Sequence, residues 1–501
     1  MSPRDGNFKE STACFQFTSN SIQLAASFEI LKKWNLEQKF PLTYYWLGAS
    51  TKYPSRMSRG LDNFSRPFAS FPRSISNALK FIKFENLEMK QSLPTSSERE
   101  ECLASFIQQL RNVTSVKDFQ SLQFKNIRPG GALANSFVYE TGRRDFSFEN
   151  DKFLITLLLD SYLSVYFGVI NELQAGINRA LIYNGRFLHE RAAWDACKTE
   201  AIETFIFETT RNRYHLRRNV GFHDRIINQK FMLDLWEEKS KDLSTKELDE
   251  LGSRYFIDLE SKRNQFFTPV KELTNLLSKS DFFVFFSNSD DEAVGFWDSW
   301  TEPFIDQLLL IEKLQVFFEE RQKEHLYIRL HPNLATKSHQ ERNRWSRLHS
   351  TRYSTVIQPG DEFSSYELLK KAKGVISYGS TIGLEAAYHL VPSAILADCW
   401  YDELQVADKL TDLQQLFNWI ESVTVNFNKE TLELRRLKSL VRGLWFELSG
   451  NKFENSLMRE LGWGAWEVER FGSARLVQPK VFIWRSILIN RLKRIFSRLK
   501  P

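Results

Sequence analysis

Cysteine is scarce: the four present, Cys14, Cys102, Cys197 and Cys399, stand far apart with no paired spacing. That excludes a structural zinc site built from paired thiolates, gives no disulfide framework, and fits a reducing compartment. No run of about 18 apolar residues occurs, so no membrane-spanning helix is expected. Residues 1–11 are polar and of mixed charge, so neither a signal nor a transit peptide is expected there. No repeat of solenoid period is present. There is no Asp-x-Asp pair flanked by strands, and Asp290-Asp291 lies in a predicted turn, so no metal and no cofactor is expected. Net charge is also small, +6 over 501 residues. Lys480, Arg485, Arg491, Lys493, Arg494, Arg498 and Lys500 place seven positive charges in the last 22 residues, with no acid among them. The rest is close to neutral (+6 − 7 = −1), which argues against a nucleic-acid-binding body.

What is present is enough chain for two or more domains. Its 42% hydrophobic and 26% charged residues are the proportions of a globular protein. Residues 13–17 and 42–47 read as strands around an amphipathic helix over 22–34, a β–α–β opening. Residues 50–76, rich in Ser, Arg and Pro, read as a loop carrying Lys52, Arg56, Arg59 and Arg66. Helices are predicted over 77–84 and 98–112. Residues 151–178 form a longer predicted helix. It is apolar-rich from Phe153 to Leu159 but carries Asp151, Lys152 and Asp160, so it reads as buried in a core and not as a span.

A second β–α–β unit follows. Its strand over 180–183 runs into Asn184-Gly185-Arg186, then come a helix over 187–199 and a strand over 202–207 that ends at Glu208. His189, Glu190, Arg191, Glu208, His223 and Asp224 cluster in this part of the chain. Residues 240–264 read as a charge-rich helical layer or linker. From Asp281 the alternation resumes at about 25-residue spacing, as a doubly wound sheet requires. Strands are predicted over 282–286, 326–330, 355–358 and 374–376, with helices over 297–322 (with Pro303 near its start or at a break), 340–349 and 366–372. Later helices cover 411–420 and 429–448.

Three predicted strand ends in this half carry polar turns, and in a parallel sheet they open on one edge. They are Ser287 to Glu292, His331-Pro332-Asn333, and Ser377-Tyr378-Gly379-Ser380-Thr381-Ile382-Gly383-Leu384-Glu385. In the last, Ser380 or Thr381 can cap the helix that follows. The N–H groups at that helix start suit a nucleotide phosphate. Gly379 and Gly383 allow close approach of a ligand to the backbone. Glu385 lies one turn in, on a face toward a ribose hydroxyl pair. His331 is placed to donate to a diphosphate oxygen, with Arg329 and Lys337 adding positive charge.

Tyr327-Ile328-Arg329-Leu330-His331-Pro332-Asn333, Ser365-Tyr366-Glu367-Leu368-Leu369 and the stretch from Ser377 to Ala386 together resemble bacterial surface-carbohydrate and capsule polysaccharide biosynthesis proteins. Those are similar to GT-B glycosyltransferases that use nucleotide-activated sugars, including Kdo- and sialic-acid-transferring capsule enzymes. The resemblance covers residues 180–398, and the N-terminal β–α–β loosely. It implies an α/β, GT-B-like fold: two Rossmann-type doubly wound domains facing a cleft, with extra C-terminal helices. It implies that His331, Ser380 and Thr381 hold the donor phosphate, with Arg329, Asn333, Gly379 and Gly383 around them, and that Glu385 faces the ribose or base. Asn184, Gly185 and Arg186, and Ser287, Asp291 and Glu292, sit where such proteins carry similar turns and are the expected substrate-binding residues.

The implied activity is metal-independent transfer of a sugar from a nucleotide donor to a surface polysaccharide or lipid-linked glycan. An inverting transfer needs a general base on the acceptor side. The candidates are Glu208, Asp224 and Glu190, in that order, because Glu208 ends a predicted strand. Arg186 is suited to an acidic sugar or phosphate. Alternatives are a nucleotide-sugar epimerase or hydrolase on the same scaffold, and a non-catalytic glycan- or nucleotide-sugar-binding scaffold.

The expected organisation is an acceptor-side domain over 1–240, a linker layer over 241–280 and a nucleotide-sugar domain over 281–425. Helices returning across the cleft are expected over 426–478, and a basic amphipathic tail over 479–501. The tail sets Trp484, Ile487, Leu488, Leu492, Ile495, Phe496 and Leu499 on one side, suited either to an anionic membrane surface or to packing on the protein. The expected location is cytoplasmic, at the inner face of the plasma membrane.

Overall fold

The computed structural model describes residues 11–17, 21–38, 41–47, 87–90, 93–94, 96–210, 213–264, 281–288, 294–296, 300, 304–336, 339–361, 364–425, 428–452, 458–460, 466–471 and 474–477. The basic loop over 50–76, the helix over 77–84, Asp291, Glu292, Lys337 and the tail over 479–501 lie outside them, as does the side chain of Asn333.

The first domain opens with β1 (Thr12–Gln16), α1 (Ser21–Gln38), β2 (Leu42–Trp46) and β3 (Leu87–Lys90). Then come α2 (Glu98–Leu110), α3 (Gly130–Thr141), α4 (Phe148–Gln174), β4 (Arg179–Tyr183), α5 (Leu188–Thr199), β5 (Glu203–Thr210) and β6 (Arg213–Arg218). Its strands lie in the order β6-β5-β4-β1-β2-β3, parallel except for β6. Every residue of β1 is buried, as in a sheet covered on both faces. By length and composition α4 could cross a membrane, but 67% of its most apolar stretch is buried inside the protein. Its polar residues serve packing. Arg99 of α2 pairs with Asp160 at 3.2 Å, and the Tyr162 hydroxyl donates to Asp195 of α5 at 2.9 Å.

Two helices, α6 (Arg225–Asp242) and α7 (Thr245–Asn264), lead to the second domain. There β7 (Phe282–Phe286), α8 (Gln307–Arg321), β8 (His325–Arg329), α9 (His339–Trp345), β9 (Ser354–Ile357) and α10 (Ser365–Lys371) form one half. The other half is β10 (Gly374–Ser377), α11 (Ile382–Tyr388), β11 (Ser393–Ile395), β12 (Asp408–Lys409) and α12 (Leu413–Val425). The sheet is all parallel, β12-β11-β10-β7-β8-β9. Numbered from its own first strand this is 3-2-1-4-5-6, the Rossmann order; the parallel part of the first sheet reads 3-2-1-4-5. The fold is therefore α/β and GT-B-like, with two doubly wound domains, as expected.

The chain then returns. α13 (Lys429–Ser439) and α14 (Val441–Leu448) pack with α6, α7 and α11 around Met232, Phe256, Leu384, Leu444 and Trp445. β13 (Asn451–Lys452) pairs antiparallel with β6, extending the first sheet. Arg213 of β6 donates to the carbonyls of Ser449, Gly450 and Glu447, satisfying the open C-terminus of α14.

The helix expected over 297–322, with Pro303 near its start or at a break, is described from Gln307, where Asp306 caps it by accepting from Leu308 N at 2.9 Å and Leu309 N at 3.4 Å. Three expectations need correction. The strand expected to end at Glu208 runs on to Thr210 and folds back as β6, with Glu208 opposite His215. The helices expected as far as 478 stop at Leu448; residues 458–460, 466–471 and 474–477 form a small antiparallel sheet. The charge-rich helical layer begins earlier, at Arg225, and its buried faces pack on the second domain.

Candidate functional site

In open parallel sheets of this order, ligands bind outside the strand C-termini at the point where strand order reverses. That point lies between β7 and β10 in the second sheet and between β1 and β4 in the first.

In the second sheet, β7 is flanked by β8 and β10, so the three polar turns share one edge. They are tied together. Ser287, buried after β7, accepts from the backbone N–H of His331 at 2.8 Å. Asn288 donates from Nδ2 to Tyr378 O at 3.3 Å, while its backbone N–H donates to Gln307 Oε1 at 2.8 Å. The turns carrying His331 and Ser380 are thus held on either side of Asn288. His331, Ser380 and Thr381 are all partly exposed. Gly379 is left-handed at φ +79°, and a Cβ there would lie 2.9 Å from Asp398 O.

Three residues expected around the donor serve the fold instead. Glu385 is buried. Its carboxylate accepts from the Tyr366 hydroxyl at 2.6 Å and from Thr381 Oγ1 at 3.2 Å, so it faces the core and not a ribose. Arg329 is buried too. It donates to the carbonyls of Gln358 and Asp361, fixing the turn after β9, and burial holds its pKa below the ordinary value. Thr381 does not cap α11, because its hydroxyl is given to Glu385. Ser380 Oγ accepts from Ile382 N only at a long 3.5 Å. The N–H groups of Ser380 and Gly383 are bound to Ser377 Oγ and Ser380 O, so the expected row of open amides is largely closed. Gly383 serves packing: a Cβ there would meet the Tyr401 hydroxyl at 2.7 Å.

In the first sheet, the turn after β4 is left-handed at two successive residues, Asn184 at φ +55° and Gly185 at φ +73°. A Cβ on Gly185 would lie 2.9 Å from the Trp194 ring. This turn meets β5 at Glu208. The Glu208 carboxylate accepts from the Tyr183 hydroxyl at 3.0 Å, from Thr209 N at 2.9 Å and from Asn184 Nδ2. Burial raises its pKa against the pull of those bonds. Asn184 Oδ1 in turn accepts from Arg186 N at 3.2 Å and from His223 Nε2 at 2.9 Å. The Arg186 guanidinium stacks on Phe187 at 4.6 Å.

The other two base candidates diverge. Asp224 is the N-cap of α6, its Oδ1 accepting from Ile227 N at 3.0 Å, a role in starting that helix. Glu190 is 1% exposed, and neither carboxylate oxygen has a hydrogen-bond partner among the described residues; burial pushes its pKa up to about 8. Sequence reasoning missed Tyr183, Asn288 and Tyr366, which read as core or turn residues until the topology joins them to distant partners. Among the described residues no three His, Cys, Asp or Glu side chains gather as metal ligands would.

The C-terminal edges of the two sheets meet. Trp300, after β7, donates from its indole N–H to His223 O at 2.7 Å. Arg225 pairs with Asp402 at 3.3 Å and with Asp398 at 3.6 Å, both after β11.

No family model and no curated protein matches the chain. Solved structures similar to it include KpsC of Thermosulfurimonas dismutans, a β-Kdo 2,4 transferase, at 13% identity over 52% of this chain and 79% of that one, TM-score 0.33. The UDP-GlcNAc 2-epimerase of Methanocaldococcus jannaschii, in complex with UDP-GlcNAc and UDP, matches at 10% identity over 87% and 99%, TM-score 0.33. That of Neisseria meningitidis, bound to UDP-GlcNAc, matches at 10% over 86% and 95%, TM-score 0.31. Similarities this weak carry no conclusion about activity.

Proposed function

We propose that the protein is a GT-B-type glycosyltransferase that moves a sugar from a nucleotide donor to a glycan or lipid-linked acceptor. The observation that supports this best is the joining of the turns after β7, β8 and β10 at the second sheet's switch point, through Ser287–His331 and Asn288–Tyr378. His331 and Ser380 are the groups we assign to the leaving phosphate; Thr381, expected beside them, gives its hydroxyl to Glu385. Their donors neutralise developing charge without a metal ion. Glu208, half-buried at the facing edge of the first sheet, is the proposed general base for the acceptor hydroxyl. Its Oε1 is filled by Tyr183 and Thr209, while Oε2 takes one bond from Asn184 and keeps a lone pair for a proton. Arg186 is assigned to an acidic group of the substrate. Contact with an anionic membrane through residues 480–500 belongs to the same proposal and is supported by their unbroken positive charge.

The test is a thermal-shift screen with CMP, CDP, UDP, GDP and dTDP. A ligand at about 100 times its Kd stabilises the folded state by roughly 2.7 kcal/mol. One nucleotide should raise the melting temperature, and His331→Ala and Ser380→Ala should weaken that shift. His331→Ala should also slow transfer by about 10²-fold, as loss of one oxyanion-type donor does. If none of the five nucleotides binds, or if His331→Ala transfers at the wild-type rate, the assignment fails. Sugar released or isomerised with donor alone would point instead to a hydrolase or an epimerase.

A further inference from the structure

Part of the Glu208 network is held from the other domain. Gly295, left-handed at φ +90°, lies so close to α3 that a Cβ on Gly131 would stand 2.7 Å from Gly295 O. The next residue, Phe296, packs its ring 5.3 Å from that of His223, and the Arg191 guanidinium lies 5.6 Å from the centre of the same phenyl ring. The Trp300 indole holds the His223 carbonyl at 2.7 Å. His223 is therefore gripped at ring and backbone by residues that follow β7.

The proton positions on this chain of bonds are fixed. Asn184 Oδ1 already accepts from the Arg186 backbone N–H, so it is the oxygen, and the His223 Nε2 facing it carries the hydrogen. Burial, then the Arg186, Arg217 and Arg191 charges, hold the His223 pKa well below the usual imidazole range, so the ring is neutral with its one N–H on Nε2. Asn184 Nδ2 is then left to donate to Glu208 Oε2. Each bond in the series orients the next, from Trp300 and Phe296 through His223 and Asn184 to Glu208.

We propose that His223 is a positioning residue for Glu208, held in register by Phe296 and Trp300, so that the carboxylate is set for proton transfer only while the two domains are docked. The catalytic part of this rests on the reading of Glu208 as base; the docking part does not. Undocked, His223 would lose its ring contact and its carbonyl partner from the second domain, and Asn184 would lose the donor that fixes its side chain.

The test uses the full chain with Gly131→Ala. Gly131 lies in the first turn of α3, where Ala is the better helix former, and the added Cβ meets the Gly295 backbone and only the tip of Arg191. Circular dichroism should therefore show the fold retained. Acrylamide quenching of Trp300, read as the difference between each protein and its Trp300→Phe counterpart, should rise in Gly131→Ala. The pH dependence of the stability difference between Glu208 and Glu208→Gln should move toward that of an ordinary carboxylate in the Gly131→Ala background. In transfer, kcat should fall on the order of 10²-fold, the cost of a small misplacement at a reacting group, with donor KM unchanged. His223→Gln, which keeps an N–H at the Nε2 position, should retain most of kcat; His223→Ala should behave as Gly131→Ala.

Unchanged quenching and an unchanged Glu208 titration in Gly131→Ala overturn the proposal, as does a folded His223→Ala protein with wild-type kcat. If quenching and titration shift but the wild-type protein transfers from no donor, His223 still positions Glu208 and the glycosyltransferase reading is what fails.

Discussion

Glu190 and Glu208 lie near one sheet edge and are treated in opposite ways. Glu208 is fed by three donors, whereas Glu190 is buried with none among the described residues. The Glu190 pKa is raised from 4.5 to about 8, so the folded state holds its proton where the unfolded chain releases it. Stability from this group is complete below about pH 4.5 and is lost as pH climbs to about 8, by a few kcal/mol at most. Glu190→Gln, which cannot ionise, should therefore match the wild type in melting temperature near pH 4.5 and exceed it progressively toward pH 8. A parallel pair of melting curves across that range would show that Glu190 is not held neutral. The same pair of residues separates base from bystander. Glu208→Gln should lower kcat/KM by about 10²- to 10⁴-fold, and Glu190→Gln should change it little. Residue types at this scale were legible in the sequence, but their partners were not. Glu385 was expected to face a ribose because nothing local announces Tyr366, 19 positions earlier, as its partner.

Elements were legible where periodicity was undisturbed. The all-apolar β7 and the strand–turn–helix of β10 and α11 stand where alternation and turn chemistry put them. β6 is hard to read from the sequence because Arg-Tyr-His-Leu-Arg-Arg sets its buried Tyr214 and His215 among charged residues, of which Arg213 is itself buried where it holds the carbonyls at the end of α14. The start of α6 is ambiguous in the sequence, because Asp224 reads equally as a base candidate and as the N-cap it is. Gly379 tests how much one turn depends on a single conformation. At φ +79°, with Asp398 O 2.9 Å from where a Cβ would stand, Gly379→Ala should cost about 1–3 kcal/mol, read as a lowered melting temperature. Because this turn carries Ser380 and Thr381, the nucleotide-induced shift should fall with it. A stable variant with an intact shift would mean that the turn accommodates a side chain and does not fix those hydroxyls.

The two-domain plan could be read from strand–helix repetition on either side of residues 240–280, but the coupling between domains could not, since it is carried by residues far apart in sequence. Its densest part is polar. Arg225 at the start of α6 faces Asp398 and Asp402, both almost completely buried, and Lys409 pairs with the same two carboxylates at 2.7 and 2.8 Å. Gln229 adds bonds to Asp402 and to the Cys399 carbonyl. Two buried negative charges are thus balanced by two cations, one from each side of the domain junction. Removing Arg225 takes one of the two cations named here from both carboxylates, and a buried charge left short of its partner is what makes breaking such a pair costly. Arg225→Ala should cost about 3 kcal/mol, the low end for a broken buried pair because Lys409 remains. The loss should fall on the second domain and on α6, leaving the first domain's core around α4 intact. Calorimetry should accordingly resolve one transition into two, with the lower one shifted. If charge imbalance is the cause, Arg225→Met combined with Asp402→Asn, which leaves Asp398 paired with Lys409, should restore most of the stability and rejoin the transitions. A double variant as unstable as Arg225→Ala would show instead that shape, not charge, holds the domains together here.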